Sequence, residues 1–227
     1  MSTSPSPASV HSDPRPRWGP WWWLLAVLAG ALAAPVGAQA PELEGRPLIE
    51  TLRQGGYNLY FRHAATEWSQ SDRVERPGDW TSCDPDRMRQ LAAAGRQTAG
   101  AVGAAMRALA IPVGRVYASP YCRTVATAEA LDMGPVTTTT DVMNLRVADH
   151  FGGRQAIART ARVRLATAPA AGRNDVYVAH GNLAREATGV YPGEGEGLVF
   201  RPLGGEAFEF VGRLGPEQWR RLAGTGP

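Results

Sequence analysis

The sequence predicts an α/β protein: a three-layer sandwich with a mostly parallel central sheet flanked by helices. Short apolar runs of strand length alternate with segments whose apolar residues recur at helical spacing, as in a sheet covered by crossover helices. Three of those runs, residues 57–61, 113–118 and 174–179, lead straight into polar, chemically active residues: Arg62-His63, Ser119-Pro120-Tyr121-Cys122-Arg123 and His180. In an open α/β sheet, ligands bind at the carboxyl ends of the strands. The third observation is that the chain closes on a hairpin pattern instead of a further crossover.

Residues 1–16 are rich in Ser and Pro and offer nothing to bury. Residues 21–34 are unbroken apolar, follow Arg15 and Arg17, and are followed by the small residues Val36 and Ala38. That is the pattern of a secretory signal peptide cut after Ala38. The run is shorter than the roughly 20 residues of a membrane span. The expectation is a leader over 1–38 and one catalytic-size domain over 39–227, exported to the periplasm or secreted. The alternative is a chain anchored in the membrane by an uncleaved leader.

Within the domain, residues 48–54 form a short helix stopped by Gly55-Gly56, and 57–61 the first strand. Residues 67–89 are polar, broken by Pro77-Gly78 and Asp84-Pro85, and read as a long loop over the strand ends, either a lid that would set substrate choice or a tolerated insertion. A helix over 88–109 carries the stripe Leu91, Ala94, Thr98, Val102, Ala105, Met106 and Leu109. Pro112 and Gly114 end it. The second strand, 113–118, is followed by a helix over 124–131, a β-prone stretch over 136–142 and an amphipathic, Arg-rich helix over 154–168. After the third strand a helix starts near Leu183. Residues 197–201 and 207–213 form the hairpin around Pro202-Leu203-Gly204-Gly205-Glu206, and 216–222 a last helical turn.

The 227 residues, 44% hydrophobic, suffice for one ordinary core. All 24 basic residues are arginine, against 21 acidic ones, and they are scattered rather than interleaved with stacking aromatics. This argues against nucleic acid as a partner. A pocket made by Arg62, Arg123, His63 and His180 suits a tetrahedral phosphate, whose oxygens match the planar guanidinium fork. A neutral imidazole attacks phosphorus in line while arginines stabilise the equatorial oxygens. The leaving alkoxide then needs a proton from an Asp or Glu.

The segment Arg62-His63-Ala64-Ala65-Thr66-Glu67-Trp68 resembles the Arg-His-Gly-x-Thr-x-Trp signature of the histidine phosphatase superfamily, which includes the phosphoglycerate-mutase-like branch. Residues 91–97, 119–128 and 178–182 are similar to the segments that follow it there, in the same order, so the resemblance covers roughly residues 55–213. It implies that His63 is the nucleophile forming a phosphohistidine, and that Arg62, Arg123 and Thr66 bind the phosphoryl group. His180 would complete the pocket as a donor, and water would release phosphate.

No metal or organic cofactor is implied; His63, His150 and His180 also lack the close spacing of a zinc site. The chain departs from the pattern at Ala64, Ala65 and Ser69, where the family often has Gly, Glu and Asn. These departures favour hydrolysis over mutase chemistry. The general acid falls to Asp149, with Asp141, Glu67 and Glu196 as rivals, and Glu194 is placed near the rim.

The reading is an exported phosphomonoester hydrolase acting on a small phosphorylated substrate, a sugar phosphate or an envelope phosphate. The alternatives are a phosphotransferase or mutase, or a non-catalytic phosphate-binding envelope protein. Cys83 and Cys122 are either a disulfide tying the long loop beside Arg123 or two free thiols.

Overall fold

The computed structural model describes residues 42–224. The apolar run 21–34 and the cleavage position near Ala38 lie outside the described residues. Within them, strands β1 (Asn58–Arg62), β2 (Val113–Ala118), β3 (Val136–Thr138), β4 (Asn174–Ala179), β5 (Gly197–Gly204) and β6 (Ala207–Leu214) form a sheet in the order β3-β2-β4-β1-β5-β6. The first four run parallel, and the β5–β6 hairpin joins β1 antiparallel.

Among the described residues six α-helices cover the two faces: α1 (Gly45–Gln54), α2 (Ala93–Ala108), α3 (Cys122–Leu131), α4 (Arg154–Ala166), α5 (Gly181–Thr188) and α6 (Pro216–Ala223). Alternation along each strand divides the core in two. Leu59, Phe61, Val176 and Val178 face α1, α2, α3 and α6, where they pack with Leu48, Val102, Met106, Leu131 and Trp219. Tyr60, Tyr177 and Ala179 face α4 and α5, against Ile157, Ala161, Leu165 and Leu183. Every residue of β4 is buried, as expected of a central parallel strand covered on both sides. The three-layer α/β architecture read from the sequence is therefore the one observed.

Two boundaries differ. The helix expected from residue 88 begins at Ala93, because the preceding residues are drawn into pairing with the end of the first βα turn. Thr66 and Leu91 form an antiparallel bridge, and Ala92 N donates to Ala65 O at 2.9 Å. That pairing closes the base of the loop 67–89. The β-prone stretch 136–142 is a strand only to Thr138; the Thr139 hydroxyl then accepts from Asp141 N and starts the 3-10 turn Thr140–Val142. A second 3-10 segment, Leu145–Phe151, leads to α4.

The loop 67–89 is not a free flap. Trp80 and Met88 are buried in the second core, and Cys83 is joined to Cys122 at the start of α3 by a disulfide.

Candidate active site

Strands β2, β4 and β1 are neighbours, so their carboxyl ends bring three turns together. Arg62 pairs with Ala179, His63 N donates to Ala179 O, and Ser119 N donates to Val178 O, each at 3.0 Å. Sheet register thus places His63, His180 and Ser119 side by side. The rings of His63 and His180 are 5.8 Å apart. Helices α3 and α5 begin at this point and direct their positive ends to it.

Both imidazoles have a defined tautomer. His63 Nδ1 lies 2.9 Å from Ala64 O, which only accepts, so Nδ1 carries the proton and Nε2 keeps its lone pair. Around His180 the order is reversed. Asn144 Oδ1 accepts from Arg146 N at 3.0 Å and from Asn182 Nδ2 at 2.8 Å, so Asn144 must present its amide NH2 to His180 Nδ1 at 3.1 Å. The proton of His180 therefore sits on Nε2, which faces the Ser119 hydroxyl at 2.9 Å. The buried Tyr60 hydroxyl donates to His180 O and accepts from His180 N, fixing the backbone of the second histidine.

Burial holds the His63 ring down to about 3, reinforced by the positive charges of Arg123, Arg62 and Arg89 and opposed by the bond to Ala64 O. Burial and then Arg123 hold His180 well below the ordinary histidine range. Both rings are neutral at physiological pH.

Arg123 is 1% exposed, with its guanidinium over the Tyr121 ring at 4.6 Å. Asp72 binds it through two bonds of 2.9 and 3.0 Å. Arg62 donates to Glu194 Oε1 at 3.2 Å and lies over the Tyr191 ring at 5.4 Å. The antiparallel pairing of β5 explains that contact: Gly197 sits opposite Phe61, which brings the loop ahead of β5 to the end of β1. Thr66 is buried, and its hydroxyl has no partner among the described residues.

The expected site residues Arg62, His63, Thr66, Arg123 and His180 surround the first βα turn. The Cys83–Cys122 pair is a disulfide, which settles the choice left open by the sequence. The acids named from the sequence take separate places. Asp149, the expected general acid, is exposed on the second 3-10 segment and has no hydrogen bond or ion pair to a described residue. Asp141 is bound by Arg164 Nε at 2.6 Å, Glu196 accepts from Gly193 N, and Glu67 is exposed.

The carboxylates that touch the site are Asp72 and Glu194. Asp72 and Asn144 carried no sequence signal, and Tyr60 and Ser119 lie in segments the sequence marked but were given no role there, since each acts through a partner far away in the chain. Ala64 has no left-handed backbone, so the missing glycine costs no strain.

A neutral imidazole with a free Nε2 thus lies beside two guanidinium groups and a second imidazole whose Nε2–H donates to Ser119 Oγ, a set of groups chemically suited to a phosphoryl-like oxyanion. The model of the histidine phosphatase superfamily, branch 1, matches residues 59–168. Over those residues the chain is similar to that superfamily.

No curated protein matches it. Among solved structures, it is similar to the protein histidine phosphatase SixA complexed with tungstate, at 12% identity over 70% of this chain and 97% of that one, with a TM-score of 0.47. It is also similar to the alpha-ribazole phosphatase from Shigella flexneri (13%, 70% and 96%, 0.48). A third likeness is to a mycobacterial glucosyl-3-phosphoglycerate phosphatase (18%, 70% and 96%, 0.46).

Proposed function

We propose that this chain is a phosphomonoester hydrolase working through a phosphohistidine on His63. One observation carries the reading: His63 is neutral, its Nδ1–H is committed to Ala64 O, and its Nε2 lone pair is free beside two arginines. Nε2 attacks phosphorus and the ester P–O bond breaks. Arg62, Arg123 and Thr66 hold the phosphoryl oxygens as charge spreads over them, and His180 Nε2–H joins them by exchanging Ser119 Oγ for a phosphoryl oxygen. The leaving oxygen takes a proton from Asp149, which, unlike Asp141, is not committed to an arginine. Water then attacks the phosphohistidine and passes a proton back to that carboxylate. The P–N bond breaks, the lone pair returns to Nε2, and inorganic phosphate leaves.

The substrate class is a small phosphorylated molecule, a sugar phosphate or an envelope phosphate. The chain is exported, which the leader pattern and a disulfide in the fold both support, since disulfides persist in oxidising compartments. N-terminal sequencing of the mature protein, beginning at Gln39, tests export.

Phosphate release from an aryl phosphate tests the chemistry, with His63→Ala alongside and a chelator present. Turnover that survives the chelator and falls by at least about 10³-fold in the variant supports the reading. Phosphate binding without turnover of any phosphomonoester would move the protein to a binding role.

A further inference from the structure

Arg123 has five N–H groups, and the loop 67–89 takes three of them. Nη1 donates to Asp72 Oδ1 at 2.9 Å and to Arg89 O at 3.4 Å, and Nη2 donates to Asp72 Oδ2 at 3.0 Å. Asp72 thus occupies the end of the fork. What remains is the side edge: the Nε–H, buried and without a partner, and the Nη2–H beside it. In a planar guanidinium these two bonds are parallel and coplanar, the arrangement that receives two oxygens of one phosphoryl group.

We infer that Asp72 is a positioning residue, which locks the Arg123 guanidinium so that its Nε–Nη2 edge, and not its end, meets the phosphoryl group. The inference rests on the phosphate pocket proposed above.

Asp72 is itself held in place. Its side chain is 5% exposed, and its Oδ1 also accepts from Arg89 N at 3.1 Å. The Thr66–Leu91 bridge closes the base of its loop, and the disulfide ties Cys83 of that loop to Cys122, the residue before Arg123. The Tyr121 ring lies against the face of the guanidinium. A fork clamped at one end, stacked on one face and stapled at its neighbour presents its remaining edge in one direction. The loop acts as a fixed wall of the site, and its carboxylate sets the angle of an arginine instead of competing for it.

The opposite role, a carboxylate that occupies the arginine until substrate displaces it, makes the contrary prediction. Removing such a competitor makes the pocket more positive and tightens anion binding. Removing a positioning residue leaves a mobile guanidinium and weakens binding despite the gain in positive charge.

The experiment compares Asp72→Asn and Asp72→Ala with the wild-type chain. It measures inorganic phosphate binding by calorimetry, kcat and KM on an aryl phosphate, thermal midpoint, and 15N relaxation of the Arg123 Nε–H. In folded Asp72→Asn, phosphate affinity should fall about tenfold or more. The value of kcat/KM should fall on the order of 10²-fold, with kcat carrying much of the loss. The Nε–H should become mobile, and formate should restore part of the activity of Asp72→Ala. A purely structural role would lower the thermal midpoint without the affinity loss or the rescue.

Phosphate affinity unchanged or tighter in both variants, or an Nε–H as rigid as in the wild type, would overturn the inference. If the wild type neither binds nor hydrolyses phosphate compounds, the proposed function fails, and the Nε–H relaxation still decides whether Asp72 holds the fork.

Discussion

Asn144 Nδ2 lies 3.1 Å from His180 Nδ1, and because Asn144 Oδ1 already accepts two N–H bonds, the amide can only donate to the ring. One buried side chain therefore puts the His180 proton on Nε2, the nitrogen that faces the Ser119 hydroxyl. Asn144→Leu removes the donor at similar volume and frees the tautomer. The variant should keep its fold and lose about tenfold or more in kcat/KM, as expected for a misplaced catalytic proton. Nitrogen chemical shifts of His180 report the tautomer directly; a ring still protonated only on Nε2 in the variant would refute this role.

How much of this was legible in the sequence depends on whether a residue's role is local. Arg62 and His63 follow an apolar run without interruption, and His180 and Arg123 follow two more, so strand ends and residue types together pointed to the residues the sheet brings side by side. The Arg-His motif then gave each a role. Asp72 and Asn144 had no such signal. Asp72 meets Arg123 across 51 positions, and Asn144 meets His180 across 36. Nothing in the polar composition of 67–89 or the Thr-rich run before Asn144 marks either. The error at the start of α2 has the same origin: residues 88–92 keep helical periodicity, yet tertiary pairing with residues 65–67 takes their backbone groups.

Stability should fall with acidification. In the unfolded chain a histidine titrates near 6.5, whereas the native His63 ring takes a proton only near 3. Between those values the unfolded state binds the extra proton, so acid favours unfolding by about 1.4 kcal/mol per pH unit for that ring. His180 acts in the same direction. Above pH 6.5 both rings are neutral in both states and the slope vanishes. Urea denaturation at pH 7, 6 and 5 should show the decline, and His63→Asn should flatten it. An unchanged slope in that variant would contradict a buried neutral His63.

Two glycines of α2 should respond in opposite ways. A Cβ at Gly95 would stand 2.1 Å from Ala65 O, in the turn that carries His63, and backbone there has no room to yield. Gly95→Ala should cost about 1–3 kcal/mol and reduce turnover by shifting that turn. At Gly100 the nearest atom to such a Cβ is 3.7 Å away, an ordinary contact. Gly100→Ala should raise stability by about 0.5–1 kcal/mol through helix propensity and leave turnover unchanged. Thermal melts of the pair check both.

The disulfide should matter beyond stability. Cys83→Ser with Cys122→Ser releases a loop of sequence separation 39 and should cost about 2–4 kcal/mol. Because the same loop carries Asp72, the reduced protein should also bind phosphate more weakly at temperatures where it remains folded. Equal phosphate affinity in oxidised and reduced protein would show that the bridge serves stability alone.

The proposed acid gives a test that depends on the leaving group. Asp149 is exposed and without an ion pair among the described residues, so no arginine holds its carboxyl group. An alkoxide needs a proton as it departs, whereas a nitrophenolate leaves well without one. General acid catalysis is worth roughly 10²–10⁴-fold where it is needed. Asp149→Asn should therefore cost about 10²-fold or more with an alkyl phosphate and only a few-fold with a nitrophenyl phosphate. Equal losses on both substrates would assign Asp149 a structural part. No loss on either would move the proton donor to Glu194, the carboxylate already in contact with Arg62. Glu194→Gln would then have to show the same split between the two substrates.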